Sequence, residues 1–348
     1  MNIESKKLLK SQQPRDAAIE LYRCLLAFGI VLIHSNQKPF FVIEHTYMLE
    51  WCVNGFIFIT GYYGIRYRFN KLLFLFVTAY ISAGVSYLLF TPLSGDQITA
   101  ISCIKYAAYN GGDYWFVGSY AVLLLLSPAI NEILEKHCDI KQWKWWLPVM
   151  ILGLWSWAID WRFHRVFEWI LPQYDLGFGR TLGMGAFSPI TLILCYIGAR
   201  FCHKYQDSKI FKNKLLLLAI MVVLIPFVSL GFGLSRYSSP FAFTIAACGF
   251  FLFKGIKLPN YIGKFFIFLA PSMLGVYLIH CTDIGLSFMS KCELYLIETH
   301  HYPRLISCFI TAGAIFFLTL CCDMVRRLLF KFVTICIAKF QQLRNQAF

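Results

Sequence analysis

The sequence predicts an all-α protein: a polytopic membrane bundle of about ten transmembrane helices, with both termini in the cytoplasm. Three observations support this fold class. The 348-residue chain is 58% hydrophobic and only 14% charged, whereas soluble domains are about 25% charged. Apolar stretches of about 20 residues, long enough to cross a bilayer as helices, recur along nearly the whole chain. Lysine and arginine are concentrated in alternate connecting segments, as the positive-inside rule expects.

The apolar stretches define the elements in order. We expect polar outer loops at 96–112 and between the last two spans. No Gly/Ser-rich or Pro-rich linker and no internal repeat divides the chain. We therefore expect one transmembrane domain at 19–328, with a basic cytoplasmic arm at 1–18 and a basic amphipathic tail at 329–348 that continues the last helix. The expected spans are 19–37, 48–65, 72–92, 114–133, 145–160, 182–199, 215–235, 239–253, 265–284 and 305–325.

The net charge of +14 fits this topology without a nucleic-acid partner. With a cytoplasmic N-terminus, the predicted inner segments hold 23 of the 32 lysines and arginines and the outer loops hold 8, while Arg23 lies within the first span. The 13 cysteines include no CxxC pair, and the 8 histidines show no metal-ligand spacing. We therefore expect a protein without a bound metal.

The first span, ELYRCLLAFGIVLIHSN, carries ionisable residues that are costly in a bilayer. Arg23 and His34 are 11 residues apart, close to three helical turns, so they share one stripe about 16–17 Å in length. Glu20 lies on the same face and can pair with Arg23. The stripe is expected to face the bundle interior or a water-filled cavity. A purely structural polar seam is the alternative interpretation.

Further polar residues are expected near the two ends of this stripe. Arg66 and Arg68 follow the second span, where they either anchor the topology or bind phosphate beside Arg23, since guanidinium groups bind phosphate through two parallel hydrogen bonds. His280 lies near the outer end of the ninth span, at the depth in the membrane where His34 is expected. Glu50, at the outer start of the second span, is a candidate to orient His34.

Four segments together resemble acyltransferase family 3, a family of integral membrane acyltransferases. Arg23 and His34 match its Arg-x(10)-His first helix. The segments FIFITGY, YWFVGSYAVLLLLSP and SMLGVYLIH resemble later family motifs and follow in the same order. The chain departs from the family pattern at Thr60, where serine is usual, and at Tyr62, where phenylalanine is frequent. The resemblance covers residues 20–280.

The resemblance implies transfer of an acyl group, commonly acetyl, from cytoplasmic acyl-CoA to a hydroxyl of a cell-surface or lipid-linked carbohydrate. Ten spans without a cleaved signal peptide fit a bacterial inner membrane, where we expect the protein to lie. Arg23, Arg66 and Arg68 would bind the CoA phosphates, and the pantetheine arm, which has roughly the reach of the stripe, would bring the thioester to His34. His34 would act as a general base or would form an acyl-histidine intermediate, and both roles are compatible with the sequence.

Tyr114, Trp115 and His280 are the predicted substrate-binding residues, because they lie at the outer ends of their spans. The two aromatic side chains offer flat faces for a sugar. A transporter or flippase of an anionic or lipid-linked solute, with Arg23 and His34 lining its path, is the alternative function. Transporters often contain internal repeats, and this sequence has none. A glycan polymerase is a third possibility, but its acceptor would need a larger outer loop.

Overall fold

The computed structural model describes residues 15–35, 48–160, 187–229 and 236–346, and every regular element within these ranges is helical. Short helical turns at Ile140–Gln142, Lys209–Lys212 and Ala270–Ser272 separate some of the longer helices. The longer helices are α1 Ala17–His34, α2 Trp51–Tyr63, α3 Phe69–Leu93, α4 Ala100–Asn110, α5 Trp115–His137, α6 Trp143–Asp160, α7 Pro189–Lys204, α8 Lys214–Ser229, α9 Pro240–Phe253, α10 Asn260–Leu269, α11 Met273–His280, α12 Asp283–Glu298 and α13 Arg304–Gln346.

A helix lies in the described part of each range in which the sequence predicts a span. Among the described residues, five helical segments are long and apolar enough to cross a membrane: α1, α3, α5, the continuous α10–α11 segment and α13 up to Cys336. The all-helical membrane class is therefore confirmed, whereas the count of ten spans and the cytoplasmic position of both termini stay predictions. Residues 1–14 of the predicted arm lie outside the described residues, as do 36–37, 182–186 and 230–235 of the predicted spans.

Two segments that we expected to be loops contain helices. The segment 96–112 contains α4, which packs along α3, and the region between the last two spans contains α12, which packs against α3 and α13. Thr99 and Thr282 cap these helices by accepting backbone hydrogen bonds, as N-cap residues commonly do. Both helices are short and mix polar with apolar residues, so hydropathy alone does not reveal them. Residues 329–346 of the tail continue α13 without interruption, as predicted, and the last two residues lie outside the described ranges.

Helix α1 lies at the centre of the bundle and packs against α2, α9, α10, α11 and α13. At about 100° per residue, the stripe of Arg23 and His34 falls between its two packed faces. The packing of the bundle therefore fixes the direction in which both side chains leave the helix. The face toward α2 and α9 carries Ile19, Tyr22, Leu26 and Ile30, and the face toward α11 and α13 carries Cys24, Ala27, Val31 and Leu32.

Two glycines determine how α2 sits against its neighbours. A Cβ atom at Gly61 would lie 2.7 Å from the backbone oxygen of Tyr196, so only glycine allows α7 to approach this closely. Gly64 has a φ of 74°, which side chains disfavour, and it ends α2 and turns the chain into the connector toward α3. The segment 64–68, which contains Arg66 and Arg68, thus starts at a defined point beside α7.

Replacing Gly61 by alanine should destabilise the protein by about 1–3 kcal/mol, because the new methyl group meets backbone that cannot move aside. The measurement is the thermal unfolding midpoint of the protein in detergent. Gly118→Ala in α5 is the matched control, since no heavy atom lies within 4 Å of the added Cβ. It should leave the midpoint unchanged or raise it. Equal effects of the two substitutions would contradict the close contact at Gly61.

Candidate active site

Two histidines meet where α1 and α11 end. The Nδ1 atom of His34 lies 3.1 Å from Nε2 of His280, and the ring centroids are 5.2 Å apart. His280 is 0% exposed, and its Nδ1 lies 2.6 Å from the carbonyl oxygen of Val276. The sequence predicts only that the two histidines lie at a similar depth in the membrane. The structure brings them into direct contact.

The turn that carries His280 is held by Tyr114. The last carbonyl groups of a helix lack partners within the helix, and the Tyr114 hydroxyl donates to the Leu278 carbonyl oxygen at 2.6 Å. Tyr114 is only 6% exposed, and its ring packs 6.2 Å from that of Tyr277. Its predicted contact with substrate stays a prediction, whereas its contact with α11 gives it a role in positioning His280.

The other end of the stripe contains the expected ion pair. The Arg23 guanidinium lies 3.3 Å from the Glu20 carboxylate, and the Arg23 side chain is 33% exposed while that of Glu20 is 6% exposed. Arg23 also interacts electrostatically with Tyr63 and Tyr120. Since Arg23 and His34 belong to one unbroken helix, the rise between them is about 16–17 Å. The predicted pairing of Glu20 with Arg23 is confirmed.

A row of aromatic rings connects the two ends of the stripe. Tyr120 interacts with the Thr60 side chain and with Arg23, and its ring stacks on Phe116 at 5.9 Å. Phe116 contacts Tyr277 at 5.7 Å, and Tyr277 lies 6.3 Å from His280. We call Phe116, Tyr120 and Tyr277 the aromatic wall. The sequence does not reveal it, because its members lie on α5 and α11 at ordinary helical spacing.

The connector that contains Arg66 and Arg68 is anchored although both side chains are exposed. The backbone N–H of Ile65 donates to the Tyr196 hydroxyl at 3.2 Å, and its carbonyl accepts from the Asn131 amide at 2.8 Å. The Tyr196 hydroxyl in turn donates to the Asn131 side-chain oxygen at 2.6 Å. The two arginines therefore extend from a backbone that α5 and α7 hold in place.

Two further cations lie near the C-terminal ends of α2 and α7, and the sequence indicates for both only a charge that sets the topology. Arg200 donates to the Tyr62 carbonyl oxygen at 3.4 Å. Lys254 contacts the Tyr62 hydroxyl and the Gln206 side-chain oxygen, and its ammonium lies 4.4 Å from the Tyr62 ring centre. Burial lowers the pKa of Lys254, while the Asp16 carboxylate acts in the opposite direction. Their positions beside Tyr62 could not be read from spacing.

Trp115 belongs to an aromatic cluster near the end of the bundle where α2 begins. Its ring stacks on Tyr237 at 5.4 Å and 18°, and it meets Phe187 edge to face at 5.0 Å. Beside Tyr237, Arg236 pairs with Glu50 at 3.5 Å. The role of Glu50 in orienting His34 stays a prediction, and the partner that the structure gives to His34 Nδ1 is His280. Within the described ranges, no cluster of three or more His, Cys, Asp or Glu side chains could hold a metal ion.

The bundle has bilayer-length helices, an arginine and a histidine on one stripe of its central helix, and a second histidine from α11 in contact with the first. These features define an integral membrane protein that has a polar site inside its bundle. The chain belongs to acyltransferase family 3: the family model, described as an acyltransferase domain, matches residues 16–325, nearly the whole chain. Arg23, His34 and His280 lie within the matched range. No curated protein and no solved structure matches the chain. The resemblance recognised from the motifs is confirmed, and membership supports membrane acyltransferase activity.

Tyr114→Phe should destabilise the protein by about 1–3 kcal/mol, because it leaves the buried Leu278 carbonyl without its donor. Thermal unfolding in detergent measures this change. Tyr109→Phe is the control, since Tyr109 is 76% exposed, and it should have no effect. If Tyr114 only bound the acceptor, the substitution would change the acceptor KM and leave the unfolding midpoint where it was.

Proposed function

We propose that the protein is an O-acetyltransferase that moves an acetyl group from cytoplasmic acetyl-CoA to a hydroxyl of a cell-surface or lipid-linked carbohydrate, at a bacterial inner membrane. One observation carries the proposal. Arg23 and His34 lie on one stripe of the central helix, and His34 contacts a second, fully buried histidine. The stripe has a cation at the Arg23 end and an uncharged imidazole pair at the His34 end. This arrangement suits a long donor that carries anionic groups at one end and its reactive group at the other.

The donor's phosphates would bind at the Arg23 end of α1. A guanidinium has five N–H donors, so pairing with Glu20 leaves Arg23 with donors for phosphate oxygens. Arg66 and Arg68 would supply two more guanidinium groups from the connector, which is anchored at Ile65. Anchoring supports this assignment, because a prepositioned binding group loses less conformational entropy when the ligand arrives.

The pantetheine arm would follow the aromatic wall from Arg23 to His34. An extended arm has about the same length as the helical rise of about 16–17 Å between these residues. The rings of Phe116, Tyr120 and Tyr277 present a largely apolar surface along this line. A narrow, mainly apolar chain fits such a surface, and the thioester would arrive beside the histidine pair.

The reaction needs one group that accepts and returns a proton. As a general base, His34 takes the proton of the acceptor hydroxyl while the oxygen attacks the thioester carbon. The carbon–sulfur bond breaks, and the CoA thiolate recovers the proton from His34. Alternatively, His34 attacks the thioester itself and the acceptor hydroxyl then attacks the acyl-histidine. Both routes yield the acyl ester and CoA thiol without another reactant.

The acceptor would approach from the end of the bundle at which α1 ends. The Trp115 ring, stacked on Tyr237, offers a flat face for a sugar ring. Contacts of Tyr114 and His280 with the acceptor remain part of the proposal, although the structure already gives each of them a protein partner. The transporter alternative gains no comparable support, because the family is one of acyltransferases.

His34→Ala should abolish acetyl transfer, because both chemical routes use its imidazole. The assay is transfer of radiolabelled acetyl from acetyl-CoA to membrane glycans, together with release of CoA thiol by the purified protein. His300→Ala is the matched control, since His300 is exposed and lies between α12 and α13, and it should retain full activity. Full activity of folded His34→Ala would refute the mechanism.

Arg23→Gln should raise the KM for acetyl-CoA about tenfold with little change in kcat, because it removes one charge-assisted contact worth about 1.4 kcal/mol. Arg304→Gln is the matched control. Arg304 is an exposed arginine on a different helix, at the start of α13, and its replacement should leave this KM unchanged. Steady-state kinetics with varied acetyl-CoA make the comparison. An unaltered KM for acetyl-CoA in Arg23→Gln would remove the arginine from the donor site.

A further inference from the structure

His280 makes a hydrogen bond through each of its ring nitrogens. Its Nδ1 lies 2.6 Å from the carbonyl oxygen of Val276, one turn earlier in α11, and its Nε2 lies 3.1 Å from Nδ1 of His34. The ring is completely buried. A buried imidazole with both nitrogens engaged has little freedom to rotate or to exchange its proton with water, so these two contacts determine where the protons lie.

The position of each proton follows from donor and acceptor chemistry. A carbonyl oxygen can only accept, so Nδ1 of His280 carries its proton. The pair is uncharged, because burial and the neighbouring imidazole both oppose a positive charge. A neutral imidazole has one N–H, so Nε2 of His280 is an acceptor, and the contact at 3.1 Å requires Nδ1 of His34 to donate.

The second nitrogen of His34 follows from the same argument. A neutral imidazole has one N–H, so with the proton at Nδ1 the lone pair of His34 is at Nε2. That atom lies 4.0 Å from the Cys281 sulfur, on the next residue after His280.

We propose that His280 is a positioning residue that fixes His34 as the Nδ1–H tautomer and thereby makes Nε2 of His34 the reacting nitrogen. The inference deepens the proposed acyl transfer and rests on it. It applies to both chemical routes, since a general base and a nucleophile each need a lone pair at the reacting atom. When Nε2 accepts the hydroxyl proton, the Nδ1–H bond to His280 stabilises the transient positive charge on His34. The proton then passes from Nε2 to the CoA thiolate.

Two amide substitutions separate positioning from simple packing. In His280→Gln, the amide group reaches the former place of Nε2, so its oxygen can still accept from His34 Nδ1. In His280→Asn, the same chemical group reaches only the former place of Nδ1 and cannot reach His34. We expect the Gln variant to keep kcat within about threefold, and the Asn variant to lose about 100-fold, the scale of a general acid–base contribution. The KM for acetyl-CoA should stay unchanged in both variants.

The tautomer itself can be observed without substrate. In full-length protein labelled with 15N-histidine, the His34 signals are identified by their loss in His34→Ala. The expected spectrum has a protonated Nδ1 and an unprotonated Nε2 for His34, and His280→Asn should add a population with protonated Nε2. A protonated Nε2 in the unmodified protein would overturn the proposal, as would equal kcat values for the Gln and Asn variants. If either variant unfolds, the spectrum of the unmodified protein still decides.

These readouts distinguish the inference from the proposed function. If acetyl-CoA proves not to be a substrate, the NMR signals of His34 still test the tautomer. If transfer occurs and depends on His34 but Nε2 is protonated, the proposed function holds and the positioning role of His280 is wrong.

Discussion

The hydrogen bond between His34 and His280 joins the ends of two helices whose residues are 246 positions apart in the chain. The bond can form only if α1 and α11 are held at the correct position relative to each other along the bundle axis. Helix α1 is held by five neighbouring helices, and α11 is held by Tyr114 and by close packing of Gly275 against Asp323 in α13. Much of the bundle therefore contributes to one polar contact, in which two imidazoles satisfy each other in an apolar surrounding.

Two arginines of the bundle pair with acidic residues three positions earlier in the same helix. Arg23 pairs with Glu20, and Arg326 pairs with the completely buried Asp323 at 2.7 Å. Such pairing offsets the desolvation of each charge, which would otherwise oppose insertion into a membrane. The histidine pair differs, because two neutral imidazole rings can form the hydrogen bond between them. It is thus the part of the central stripe that can change its protonation during a reaction.

The all-helical membrane class could be predicted, because long apolar stretches follow directly from the thickness of the bilayer. The stripe of Arg23 and His34 depends on helical periodicity within one element, so the sequence also reveals it. The contact between His34 and His280, the aromatic wall and the anchoring of Ile65 by Asn131 and Tyr196 depend on packing between distant helices, which no local pattern encodes. Helices α4 and α12 were missed because their short, mixed sequences resemble polar loops.

Because α1 is unbroken from Ala17 to His34, it fixes the distance between Arg23 and His34. Its length between Arg23 and His34 is set by backbone hydrogen bonds and does not depend on the ligand. One residue more or fewer would shift the spacing by about 1.5 Å and turn the two side chains by about 100° relative to each other. In the proposed function, a donor with a shorter arm would leave its reactive group short of the imidazole, and a longer arm would have to fold. Selection among thioester donors would then depend on distance as well as on charge.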